Sequence, residues 1–369
     1  MKIVLAPDSF KESMTAAEAI AAMRDGVAAA LPDAECVGVP MADGGEGTVD
    51  AVVDALGGSN VTVEAADALG RPVPATYGHV ADRGLAVIEM AAAAGLERIA
   101  TAERDVLRAS TFGVGQLIIS ALDRGATEFL IGLGGSATND AGAGMLTALG
   151  AVLLDADGAP LPPGGAALER LDRVDLTGLD PRLAAARFRL ACDVTAPLLG
   201  PGGASAVFGP QKGAGPADVE RLESALARFS AVVGATHVDT PGAGAAGGLG
   251  FALLQFLDAE TRPGVEVIAE TVGLESAMAG ADWVFTGEGG VDAQTMLGKT
   301  PFGVAQVAAR AGARVVIFAG RVGDDAAVLL DHGVDEIVGI TAPGTPLAEA
   351  LRTGPQSLAR ACAEVCRRL

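Results

Sequence analysis

A chain of 369 residues, half of them hydrophobic, holds material for about two buried cores on a length prior of roughly 150 residues per domain. Only 4% of the residues are aromatic, so those cores must be built from Ala, Val, Leu and Ile, which suits alternating β and α segments and an α/β fold. The formal net charge of −20 argues against nucleic acid and anionic membrane surfaces as partners, because both attract basic proteins.

The opening "MKIVLAPDSF" has one lysine and a short apolar run broken by Pro7 and Asp8, so no signal peptide is expected. The segment 2–6 predicts a short buried strand, followed by the loop "PDSFKES". Thr15 and Glu18 have capping-box spacing, and Ile20, Met23 and Val27 then recur at helical intervals. A second βα unit follows, with a strand over 36–41, the loop "ADGGEGT" and a helix whose Val49, Val52, Val53 and Leu56 share a face that Gly57 terminates. Beyond residue 60, "NVTVEAADALGRPVPATYGHV" and "RGLAVIEM" alternate and turn like hairpin strands.

Three glycine-rich loops fill the middle, at 132–144, 193–215 and 241–250. The uncharged runs 194–211 and 240–257 fall largely in them and read as loops rather than membrane spans. The βα rhythm returns near 282, with "DWVFTGEG" as strand and loop, "PFGVAQVAARAG" as helix, "RVVIFAG" as strand, "DDAAVLLDHG" as helix and "DEIVGI" as strand. Neither end makes a sheet alone. The expectation is a discontinuous Rossmann- or flavodoxin-like domain from 1–60 plus 281–369, with an α/β domain of 61–280 inserted and the site in the cleft between them.

Two stretches satisfy the dinucleotide fingerprint, Gly132-x-Gly134-x-x-Ala137 and Gly242-x-Gly244-x-x-Gly247, and Asp155 follows the first at a plausible distance. The second lacks a preceding strand. The first is followed by Ser, Thr, Asn and Asp, side chains that suit phosphate oxygens or a metal better than close packing. Gly298-Lys299-Thr300 ends like a P-loop, but Ala293 stands where that motif needs glycine.

The basic residues are more telling. Of 26, only four are lysines, and Lys11, Lys212 and Lys299 all lie in polar or glycine-rich loops, whereas Lys2 begins a strand. A lysine is a compact point charge for a phosphate, where arginine brings a planar fork. Asp8, Asp43, Glu46, Asp140, Asp193, Glu288 and Asp292 follow predicted strands or lie in the same loops. For any one aspartate, capping a turn is the commoner role. With the lysines, the set fits phosphoryl transfer, which needs Mg²⁺ carboxylates, cationic clamps and a proton acceptor. Four cysteines that lie far apart or one helical turn apart, and three histidines none of which is close to a cysteine pair, fit a reduced cytoplasmic enzyme without zinc.

The blocks "APDSFKES", "ADGGEGT", "GLGGSATNDAGAGM", "CDVTAPLLGP", "VFGPQKGA", "PGAGAAGGLG" and "TGEGGVDAQTMLGKTPFGVA" occur in one order along nearly the whole chain. In them the sequence resembles bacterial glycerate kinases, the type that includes tartronate- and galactarate-pathway enzymes. That resemblance implies two α/β domains and ATP- and Mg²⁺-dependent phosphorylation of D-glycerate, giving 2-phosphoglycerate. Where the family pattern has Asn, Arg and Gly, this chain has Ala196, Gly290 and Ala141. The resulting expectation puts Asp193 as base, with Asp8 and Lys11 beside the reaction. Gly134, Gly135, Ser136, Asn139, Lys212, Glu288 and Lys299 handle the nucleotide phosphates, and Asp292, Asp43 and Glu46 hold Mg²⁺. An NAD-dependent oxidoreductase and an inactive glycerate-binding regulator are the competing expectations.

Overall fold

The computed structural model describes residues Met1–Leu369. Strands β1 (Lys2–Leu5) and β2 (Glu35–Gly38) open the chain. Then come β3 (Ser59–Ala66), β4 (Pro72–Val80), β5 (Leu85–Glu89), β6 (Glu128–Gly132), β7 (Val152–Leu154), β8 (Arg173–Asp175), β9 (Arg187–Ala191) and β10 (Glu260–Arg262). β11 (Trp283–Val291), β12 (Arg314–Val322) and β13 (Glu336–Gly339) close it. The chain divides into two compact units, one of Met1–Asp43, Asp50–Gly57 and Pro263–Leu369, the other of Gly44–Val49 and Gly58–Arg262.

The first unit holds a five-stranded, fully parallel sheet in the order β13-β12-β11-β1-β2. Counted within the unit alone, that is the order 2-1-3-4-5 of flavodoxin-like folds. Helix Ala16–Ala30 makes the crossover from β1 to β2, and it starts at the capping box that its sequence announces. The Glu18 N–H donates to the Thr15 hydroxyl at 3.2 Å and the Thr15 N–H to the Glu18 carboxylate at 2.8 Å, a pair of caps worth about 1 kcal/mol. Ile20, Met23 and Val27 are buried together with Leu358, Cys362 and Val365 of helix Gly354–Cys366. The two helices cross so closely at Gly26 that a Cβ there would run into the Ala359 carbonyl. Beneath them Phe285 and Phe318 meet edge to face at 5.3 Å.

Three local expectations are corrected here. β11 does not end at its first glycines but runs to Val291, because β12 pairs with it as far as Val322. Glu288 therefore lies on a strand rather than in a loop. Ala326–His332 is a 3₁₀ turn, not an α-helix. The chain enters the first unit at Pro263 rather than near 280: helix Gly264–Val272 packs Val265 onto Gly303 of helix Thr300–Ala311 and so belongs with it.

The second unit has a six-stranded mixed sheet, β10-β9-β6-β5-β4-β3. β3, β4 and β5 pair antiparallel, as the alternating sequence predicts, while β5, β6, β9 and β10 run parallel. Phe129 and Phe188 stack on neighbouring strands at 4.7 Å, and the rest of this core is mainly Ala, Leu, Ile and Val. The run 241–250, expected as loop, leads into helix Ala245–Leu257. Its first turn is broken by Ala246, Gly247 and Gly248, whose φ angles of 52°, 67° and 89° are left-handed. No helix is long and apolar enough to cross a membrane.

Candidate active site

In the first unit the strand order reverses between β1 and β11, and loops leaving such a switch point are where doubly wound sheets bind ligands. Asp8 stands three residues beyond β1, and Glu288 lies on the outer half of β11. The Asp8 backbone is tied to β11 by its N–H, which donates to the Gly287 carbonyl at 2.9 Å. Its carboxylate is buried, 8% exposed. One oxygen accepts the Thr300 hydroxyl at 2.5 Å and the other the Ser9 N–H at 2.6 Å. Burial, aided by the charge of Asp43, pushes the Asp8 carboxyl up to about 7, against the pull of the Thr300 bond. Glu288 is also pushed up to about 7, chiefly by burial and further by Asp8 and Asp43, while Lys299 opposes the shift. Two buried carboxyls in one cluster cannot both carry charge cheaply.

The Lys299 ammonium lies 3.5 Å from Glu288 Oε1 and donates to the Gly290 carbonyl at 3.2 Å. Lys299 precedes helix Thr300–Ala311, whose first residue, Thr300, binds Asp8. The near-match to a P-loop is thus not a phosphate loop by that geometry: its threonine faces a carboxylate. Lys11 is exposed, on a turn that Phe10 and Met14 close with paired backbone bonds of 2.8 and 3.0 Å. Asp292 caps the turn Ala293–Met296 by accepting the Gln294 N–H at 2.9 Å. No group of three or more His, Cys, Asp and Glu side chains is placed to hold a metal ion by itself.

In the second unit, loops gather at the carboxyl ends of β5, β6 and β9. Gly44 lies against Ala191, where an added Cβ would sit 2.7 Å from the Ala191 methyl, and Gly45 lies 3.5 Å from the corresponding position on Gly134. Glu46 is exposed on this segment, which the Val49 N–H anchors to Glu89 at 2.9 Å. Gly134 and Gly135 are exposed and Ser136 is half-buried. Behind them the loop is held by bonds from Leu96 N–H to the Gly135 carbonyl (2.8 Å) and from Ala137 N–H to the Ala94 carbonyl (2.9 Å).

Ala137 through Asp140 turn inward. Asn139 is fully buried and donates to the Ser205 hydroxyl at 3.0 Å. Asp140 accepts four donors: the Thr111 N–H at 2.8 Å and hydroxyl at 3.0 Å, and the Gly142 and Gly144 N–H groups at 3.1 Å each. Burial pushes the Asp140 carboxyl up. Every partner is nonetheless a donor, since the Thr111 hydroxyl already accepts the Met145 N–H at 2.9 Å and gives its own proton to the carboxylate. The geometry therefore serves the ionised form.

Lys212 and Asn139 are both buried. Lys212 is 2% exposed and its ammonium donates to the Thr138 carbonyl at 2.7 Å. Asp193 is exposed just beyond β9. Next to it, the Cys192 thiol donates to the Val194 carbonyl at 3.4 Å and is pushed up to about 11 by burial, so it is no nucleophile.

The dinucleotide geometry is absent. It requires the glycines to open a helix directly after the strand, yet after β6 no helix begins before Ala143. Asp155, the candidate ribose ligand, closes its own turn by accepting the Asp157 and Ala159 N–H groups at 3.1 and 2.9 Å. Sequence reasoning missed Thr300 as the partner of Asp8 and Thr111 as the partner of Asp140. The first had a signal, because Thr300 adjoins Lys299; the second had none.

The glycerate kinase family model matches residues 3–369. Among curated relatives, the glycerate kinase of Halalkalibacterium halodurans is 44% identical over 98% of this chain and 97% of its own. The glycerate 2-kinase of Escherichia coli K12 is 46% identical over 98% of this chain and 96% of its own. A protein of Salmonella typhimurium LT2 whose crystal structure is described as a glycerate kinase 2 superposes with a TM-score of 0.92 at 46% identity, covering 100% of this chain and 98% of that one.

Proposed function

Because the chain belongs to the glycerate kinase family, we propose that it transfers the γ-phosphoryl group of ATP to the 2-hydroxyl of D-glycerate, giving 2-phosphoglycerate and ADP. The observation that carries this reading is Asp8, a buried carboxylate whose two oxygens are fixed by Thr300 and Ser9 and whose proton affinity lies near neutrality. A substrate hydroxyl is a weak nucleophile, and a carboxylate positioned to receive its proton is how kinases manage the step. The bond from the 2-oxygen to phosphorus forms as the bond from phosphorus to the ADP oxygen breaks. The hydroxyl proton passes to Asp8. A carboxyl titrating near 7 is ionised enough to accept that proton and basic enough to hold it. We assign the role to Asp8 rather than to Asp193, the base favoured by sequence alone, because the Asp8 carboxylate is fixed and its proton affinity lies near neutrality.

The N–H groups of Gly134, Gly135 and Ser136 suit phosphate oxygens, and Lys299 and Lys11 supply positive charge in the first unit. Mg²⁺ bound to nucleotide needs only one or two carboxylates beside the phosphate oxygens, which fits a protein without a self-sufficient metal group. Asp43, whose charge acts on both Asp8 and Glu288, is the first choice to hold it. Glu46 and Asp292 are the others. Such an ion would neutralise charge on the transferring phosphoryl group. Unbridged cysteines suit a reducing compartment, and we place the enzyme in the cytoplasm without a nucleic-acid partner.

The test is ADP release from purified protein with ATP, Mg²⁺ and D-glycerate. The proposal requires release that stops when glycerate is omitted. Glycerate binding without ADP release would instead identify a regulator, and NADH binding in place of ATP an oxidoreductase.

A further inference from the structure

Lys212 closes the turn Pro210–Lys212, at the far end of the loop that begins after β9. Its side chain runs inward to the Thr138 carbonyl, 2.7 Å away, and the charge that acts on it is the carboxylate of Asp140. From the other side, Arg104 grips the same turn by donating to the Gln211 carbonyl at 3.1 Å. The Thr138 carbonyl is also where two glycine loops lock together. Gly247 packs onto it with no room for a Cβ, and the Ala141 N–H returns a bond to the Gly247 carbonyl at 3.0 Å. Asn139 lies between these contacts, fully buried, with its Oδ1 unpartnered. Residues 138–141 are thus the buried root of a loop whose exposed rim is Gly134 and Gly135.

We propose, resting on the reading of that rim as a phosphate cradle, that Lys212 is a positioning residue which braces the cradle at its root through the Thr138 carbonyl and does not touch phosphate. A clamp must present its ammonium to the ligand. Here the ammonium is sealed from solvent and already committed to a backbone oxygen, so reaching a phosphate would mean breaking the bond that holds the loop. The two roles also differ in what they require chemically. A phosphate clamp needs the positive charge, whereas a brace needs only an N–H donor, which a lysine keeps when it loses its proton. Burial pushes the Lys212 amine down to about 7, Asp140 opposing. A brace works on either side of that value.

The experiment compares wild type with Lys212→Met, which keeps the length of the side chain and removes the donor. In the absence of any nucleotide, hydrogen exchange of residues 133–146 should accelerate by roughly tenfold or more in the variant. KM for ATP should rise by about tenfold with a smaller change in kcat, as for a loss of binding geometry. Unchanged exchange in the ligand-free loop, with ATP binding weakened, would overturn the brace and make Lys212 a clamp. A second measurement uses wild type alone. With only four lysines, ¹³C-lysine NMR resolves each side chain, and variants at Lys2, Lys11 and Lys299 assign Lys212 by elimination even if Lys212→Met does not fold. Saturating ATP with Mg²⁺ should leave the Lys212 titration midpoint within about half a unit, whereas a rise above about one unit, as direct phosphate contact produces, would contradict the proposal. A protein that binds no ATP would fail the kinase reading, and the ligand-free exchange would still decide whether Lys212 braces the loop.

Discussion

Replacing Asp8 by Asn should move activity and stability in opposite directions. The side chain keeps its shape, and its amide can still pair with the Ser9 N–H and the Thr300 hydroxyl, so folding is preserved. In the unfolded chain Asp8 releases its proton near 3.8, and in the folded protein near 7, because burial penalises the charge. Between those values the native state binds more protons than the unfolded state, so native stability falls as pH rises from about 4 to about 7. Roughly three units at about 1.4 kcal/mol each give a cost of about 4 kcal/mol once Asp8 is fully ionised. The variant has no such charge. In EDTA it should match wild type at pH 4 and be about 2–4 kcal/mol more stable at pH 8, read by urea unfolding. Its kcat should fall by roughly a hundredfold or more, since the proton acceptor is gone. A variant less stable than wild type at pH 8, or one with kcat within a few-fold of wild type, would refute the reasoning and return the base to Asp193.

Asp140→Asn should destabilise the second unit by about 3–5 kcal/mol: Asn can keep the three bonds to one oxygen but turns an amide N–H toward the Gly142 N–H, which leaves two buried donors facing each other. Gly247→Ala should cost about 2–5 kcal/mol in the same urea assay, because a left-handed φ and a collision with the Thr138 carbonyl both oppose a Cβ. Gly290→Arg should fold with stability changed by less than about 0.5 kcal/mol, since nothing lies within 4 Å of its Cβ position. By adding a cation near Lys299 it should lower KM for an anionic substrate.

What the sequence conveyed depends on range. The capping box at Thr15 and Glu18, the hairpins of β3 to β5 and the two-ended parallel sheet rest on local pattern, and were legible. The length of β11 was not, because it is set by pairing with β12 rather than by its own glycine-rich residues. Asp8, Glu288 and Lys299 could be named from their loops, but burial and charge coupling decide their chemistry, and both arise only when β1 and β11 lie side by side. Lys212 shows the limit most clearly. Its rarity and its glycine neighbours pointed to phosphate, while its contact with Thr138 depends on a fold that brings residues 74 positions apart together.

Incubation of the protein with ATP, Mg²⁺ and D-glycerate, followed by phosphorus NMR of the product, tests the central claim most directly. A single new phosphomonoester, 2-phosphoglycerate, should form one for one with ADP, and its initial rate of appearance should fall by roughly a hundredfold in Asp8→Asn. No phosphorylated product from D-glycerate, or an undiminished initial rate in Asp8→Asn, would contradict this mechanism.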